Sequence, residues 1–213
     1  MKKAILLIVF TTTVVIASPT FALMVYLTET NESSLGTANF ASVNVEVSGG
    51  VATFTVDPDP DDFFMNLGTG YGANFGIQDF YFNTSIAGLN ADNISFIGLI
   101  ADAWGVNYNQ NASEYGTFNI WYKGSGGTRQ NPLKFQVQSA ITNPISITSD
   151  QQFYVENVLG YHYAAHIADF DGDGFTSAKF ADGELPVPEP ATMLLLGVGL
   201  VGLAGIGRKK FMK

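Results

Sequence analysis

Residues 42–56 read S-V-N-V-E-V-S-G-G-V-A-T-F-T-V, and no other stretch constrains the fold as tightly. Val43, Val45 and Val47 alternate with Asn44 and Glu46, so an extended chain here has one apolar and one polar face. After Ser48-Gly49-Gly50 the pattern resumes from Val51 to Val56. The two runs read as a β-hairpin turned by glycines. Period two recurs downstream: Leu133, Phe135 and Val137 alternate with Lys134, Gln136 and Gln138, while Phe118, Ile120 and Tyr122 share a face, as do Ile145 and Ile147. Further strands are predicted over Phe75–Phe82, Ile94–Ala101 and Gln152–His166. No amphipathic helical pattern intervenes and no fixed repeat suggests a solenoid or propeller. The expected fold is all-β, an antiparallel β-sandwich of jelly-roll or immunoglobulin-like type. Asp57–Asp62 (D-P-D-P-D-D) and Gly124–Asn131 (G-S-G-G-T-R-Q-N) read as long connections. The N-x-S sequons at Asn31, Asn83, Asn93 and Asn111 mark surface-compatible loops.

The two ends follow other rules. Lys2 and Lys3, the apolar stretch Ala4–Ile16 and the small residues of Thr20-Phe21-Ala22 read as a secretory signal peptide, residues 1–22, with cleavage before Leu23; the alternative is an uncleaved N-terminal anchor. At the other end, V-P-E-P-A-T is followed by an apolar run and then R-K-K-F-M-K. Residues 191–207 carry no charge. As a hydrophobic helix they would span about 25 Å, short of the roughly 30 Å of a bilayer core. Gly197, Gly199, Gly202 and Gly205 weaken that helix, and Arg208, Lys209 and Lys210 favour a cytoplasmic C-terminus. Pro188 and Pro190 hold the backbone around Glu189 extended.

Signature, short span and basic cluster together resemble the PEP-CTERM sorting signal of Gram-negative bacteria, here residues 187–213. The resemblance implies recognition of Pro188, Glu189 and Pro190 by an exosortase, a membrane-embedded cysteine transpeptidase. It also implies a transient inner-membrane stop through 191–207, then display at the cell surface or release outside. Residues 23–186 are then the exported domain, joined to the signal by the linker 184–190.

That domain of 164 residues keeps four basic residues, Lys123, Arg129, Lys134 and Lys179, against 18 acidic ones, a formal charge of −14. Such a balance excludes a nucleic-acid partner and accords with divalent cations or neutral polysaccharides. With no cysteine, stability rests on a core without disulfides.

Asp169, Asp171 and Asp173, with Gly174 next, match the opening of a calcium loop, in which alternate carboxylates converge on one ion. The closing ligand is missing: Phe180 stands at the twelfth position, and Asp182 or Glu184 would have to serve from farther along. The alternative is a solvated acidic turn. Asp57, Asp59, Asp61 and Asp62 form a weaker cluster, with prolines in place of the turning glycine. His162 and His166 on one strand would face the same side about 13 Å apart, too far for one ion. Ala164-Ala165-His166-Ile167 resembles a late strand of PEP-CTERM proteins ending in Ala-x-His, which implies a structural His166 at a strand end.

No nucleophile elbow or phosphate loop is present, and a catalytic carboxylate pair cannot be assigned from spacing. The expected function is a non-catalytic cell-surface or exopolysaccharide-matrix protein without a cofactor. One alternative is a carbohydrate-binding module in which Trp104 and Trp121 stack on sugars beside a calcium-loaded loop. The other is a polysaccharide-modifying enzyme. Trp121 faces away from Phe118, Ile120 and Tyr122, so it is either exposed or packed on a second sheet.

Overall fold

The computed structural model describes residues 21–97, 103–172 and 175–183. Ten strands occupy them: β1 (Phe21–Thr30), β2 (Ala41–Ser48), β3 (Val51–Asp57), β4 (Tyr71–Phe82), β5 (Ile94–Phe96), β6 (Gly105–Asn111), β7 (Thr117–Lys123), β8 (Leu133–Gln138), β9 (Tyr163–Gly172) and β10 (Phe175–Asp182). All pair antiparallel, in one sheet of order β5-β8-β3-β2-β1-β10-β9-β4-β7-β6. The chain is all-β as the alternation predicts, with no α-helix among the described residues. A jelly-roll or immunoglobulin-like sandwich would divide its strands between two sheets, whereas backbone pairing here links all ten strands.

The hairpin is as its sequence implies. Ser48 pairs with Val51, and Gly49 (φ 59°) and Gly50 (φ 80°) supply the positive φ of a two-residue turn. Buried side chains then alternate along β2, β3 and β8 at the positions read from the sequence.

Aromatic packing shows how the sheet curls. Phe54 on β3 lies 5.1 Å from Phe82 and 6.3 Å from Phe80 on β4, although four strands separate β3 from β4. Phe135 on β8 likewise meets Tyr122 on β7 at 4.8 Å. The two halves of the sheet therefore face each other across an apolar core. At the edges, Ala91 N–H donates to Tyr108 Oη (2.9 Å), drawing β6 toward the turn that leads into β5.

Several expectations are corrected. Ile145 and Ile147 form no strand; Pro144 precedes them, and Ile147 reaches the core from a loop, with Ile145 packed against it. The stretch 152–162 is not extended either. Ser149 and Gln152 form a capping box that turns the chain at Asp150–Phe153, and the strand begins only at Tyr163. It continues to Gly172, so His166 is mid-strand. Asn83 and Asn93 are buried: Asn83 Oδ1 accepts from Asn119 N–H, and Asn93 donates to the carbonyls of Gln138 and Asn143. Of the predicted strand 94–101, residues 94–96 pair with β8, and residues 98–102 lie outside the described residues.

The first and last strands pair, Leu27 opposite Asp182. They are antiparallel, and β10 ends opposite Leu27, six residues beyond the first residue of β1. Pairing of Phe21 and Ala22 with Val47 and Glu46 begins two residues before the expected leader cleavage point.

Candidate functional site

Side chains on the outer face of β10, β9, β4 and β7 fall into register rows, because residues opposite each other in an antiparallel pair share a face. One row is Lys179, His166, Asp79 and Lys123; the next is Ala181, Ala164, Tyr81 and Trp121. Ala164 and Ala181 are fully buried in the cluster that Tyr81 and Tyr115 form over this row. Tyr81 and Trp121 lie parallel, ring centres 5.9 Å apart and 6° between planes. Lys123 Nζ sits 4.7 Å over the Trp121 ring and Lys179 Nζ 5.6 Å over Tyr81. His166 Nδ1 is 3.3 Å from Asp79 Oδ2.

Two polar atoms on this face are buried without a protein partner: Asp79 Oδ1, an acceptor, and Trp121 Nε1, a donor. Tyr115, carried by the turn Ser113–Tyr115, closes the other side of the patch with Phe118, Ala112 and Tyr161. The phenols of Tyr81 and Tyr115 are raised in pKa, first by burial.

The two tryptophans have different fates. Trp121 is half-buried on the outer face, whereas Trp104 is 8% exposed in the core. Its ring lies between Phe96 (6.2 Å) and Tyr122 (5.1 Å), and its Nε1 donates to the Thr128 carbonyl. Trp104 therefore offers no open ring face.

Asp169 and Asp171 extend along β9 rather than forming a separate loop, and Asp173 lies outside the described residues. Asp169 Oδ2 accepts from Asn74 N–H (2.8 Å). Asp171 Oδ2 accepts from the Thr69 hydroxyl (2.7 Å) and N–H (3.0 Å), and these bonds hold its carboxyl below the ordinary value. Between them is a pocket of about 270 Å³. Asp182, considered as a closing ligand, is engaged elsewhere.

The Asp57–Asp62 stretch is structural. Asp59 accepts from Phe64 N–H (2.9 Å) and Met65 N–H (3.1 Å), while burial pushes its carboxyl up against those bonds. Asp61 accepts from Asn39 Nδ2 at 2.8 Å, beside a cleft of about 600 Å³ floored by Phe63 and Leu67. Among the described residues, no group of three or more His, Asp or Glu residues is placed to hold a metal.

His162 belongs to an arrangement that the sequence did not reveal. Its Nδ1 is 2.6 Å from Asp182 Oδ2, and Asp182 Oδ1 accepts from the N–H groups of His162 (2.8 Å) and Tyr163 (2.7 Å). Tyr154 stacks on the imidazole at 3.5 Å, and Glu156 lies 3.7 Å from Nε2. The last residue of β10 is thus pinned to the start of β9. Twenty residues separate the partners, so no local motif marks them. Asp79 had a fainter signal, a lone carboxylate inside the apolar run 75–82.

Among the described residues no helix is long and apolar enough to cross a membrane; residues 191–207, Pro188, Glu189, Pro190, Arg208, Lys209 and Lys210 lie outside them. No curated protein and no solved structure matches the chain. A family model for the PEP-CTERM protein-sorting motif matches residues 186–209, which implies export, processing by exosortase and a surface or extracellular location. The chain is thus a PEP-CTERM sorting-motif protein, with the motif at residues 186–209.

Proposed function

We propose that the exported domain is a non-catalytic protein displayed at the cell surface among extracellular polysaccharide. The observation that carries this reading is the sorting motif at 186–209, placed behind an acidic, cysteine-free β domain. In this reading the tail holds the domain transiently at the inner membrane through 191–207 before processing. The test is co-extraction of the exported protein with polysaccharide from its host, together with an assay for released reducing ends. Loss of co-extraction when the host makes no polysaccharide is expected. Recovery in a polysaccharide-free fraction would refute matrix association, and released reducing ends would refute the non-catalytic role in favour of a modifying enzyme.

A second reading, a carbohydrate-binding module, is favoured by the outward Trp121 beside Tyr81. Its calcium-dependent form would use Asp169, Asp171 and Asp173. A rise in melting temperature with calcium, abolished by Asp169→Ala, tests that form; an unchanged melting temperature would remove it.

A further inference from the structure

We propose that the outer face of β4, β7, β9 and β10 binds a saccharide unit that carries a carboxylate, an acidic sugar of the uronic type. The proposal rests on the reading that this domain works among extracellular polysaccharide, and it names the sugar class and the residues.

Only four basic residues stand in Leu23–Pro186, and two of them, Lys123 and Lys179, share one cross-strand row with His166. Neither lysine forms an ion pair with a described residue; each ammonium rests over an aromatic ring instead. Cation–π contacts at an exposed site are weak, and the four-carbon stem of lysine lets the ammonium lift away. Lys123 would then uncover the Trp121 ring and remain beside it as a partner for an anion. At physiological ionic strength charges beyond about 8 Å are largely screened, so the acidic remainder of the domain does not prevent a short acidic glycan from docking here.

Asp79 is 7% exposed, and its Oδ1 has no partner; Trp121 Nε1, two residues from the position opposite Asp79, has none either. Buried polar groups are normally satisfied. Sugar hydroxyls both donate and accept, so adjoining units of one glycan can serve the acceptor and the donor. One ring stacks its apolar face on the indole while its carboxylate meets the lysines, and the in-plane indole N–H is left to a hydroxyl of the adjoining unit. His166 is a positioning residue that holds Asp79 through Oδ2.

The test uses the exported protein as its host processes it. Tryptophan fluorescence is followed on titration with a short oligogalacturonate and with its methyl ester, which has the same rings without the charge. The free acid should bind about tenfold tighter than the ester, the scale set by two exposed ion pairs. Lys123→Met and Lys179→Met keep the stem and remove the charge; each should reduce that preference while the ester still binds. Asp79→Ala, which removes the acceptor, should weaken both ligands together. Equal binding of acid and ester would overturn the acidic specificity and leave the polysaccharide reading intact. If the host polysaccharide retained the protein and its Lys123→Met and Trp121→Ala variants alike, this face would not be the site. Retention by neither polysaccharide nor oligosaccharide would refute both readings.

Discussion

Asp182→Ala removes the group that joins the last strand to the start of β9. The carboxylate is 1% exposed and has three close neighbours: the N–H groups of His162 and Tyr163 at 2.8 and 2.7 Å, and His162 Nδ1 at 2.6 Å. Alanine leaves two buried N–H donors and an imidazole nitrogen unpartnered. Each orphaned donor costs about 1–3 kcal/mol, which sets the expected loss at about 3–5 kcal/mol. For a domain of this size that lowers the melting temperature by roughly 6–20 °C. Asp182→Asn keeps an Oδ1 to receive both N–H groups and changes only the group facing His162, so it should cost about 1–2 kcal/mol. Urea unfolding followed by the fluorescence of Trp104 and Trp121 measures both variants. An Asp182→Ala loss below about 1 kcal/mol would refute the reasoning, since it would mean that these donors find equal partners without the carboxylate. An Asn variant as damaged as the Ala variant would place the stabilisation in the imidazole contact, not in the two N–H groups.

Phe54 meets Phe135 at 4.5 Å and also touches Phe80, Phe82 and Phe153, so Phe54→Ala should cost about 3–5 kcal/mol in urea unfolding; a loss under about 1 kcal/mol would contradict the packing across the curled sheet. Gly76 has φ +153°, and a Cβ there would strike the main-chain carbonyl of Gln130, which accepts from Ile77 N–H at 2.8 Å. Gly76→Ala should therefore lower the melting temperature clearly, and an unchanged value would show that the bridge between β4 and the 124–132 connection yields. Burial raises the phenols of Tyr81, Tyr115, Tyr122 and Tyr163, and burial with Asp182 and Glu156 pushes Tyr154 up to about 12. Below about pH 10 these phenols are protonated folded and unfolded alike. Above it the unfolded chain loses protons first, so stability should fall as pH rises from about 10 to 12, which denaturant midpoints across that window would record. Constant midpoints would contradict it.

The sequence by itself determined the hairpin of β2 and β3, the inward faces of β3, β7 and β8, the all-β class and the address carried by residues 186–209. Those features are local: alternation sets which face is buried, two glycines permit the turn, and the Pro-Glu-Pro signature with its basic end is read as a linear segment. Alternation failed where it was weak. β6 is almost wholly exposed, the inward alanines of β9 and β10 are small, and β10 starts in what reads as an acidic loop. Only the tertiary structure decided that β1 pairs with β10, that Trp104 enters the core while Trp121 stays on the outer face, and that Lys179, His166, Asp79 and Lys123 stand in one row. It also decided that Asp182 belongs to His162. Each of these depends on strand order and register between segments as much as 155 residues apart, as Leu27 and Asp182 are, and side-chain period along one strand carries no information about which strand will lie beside it.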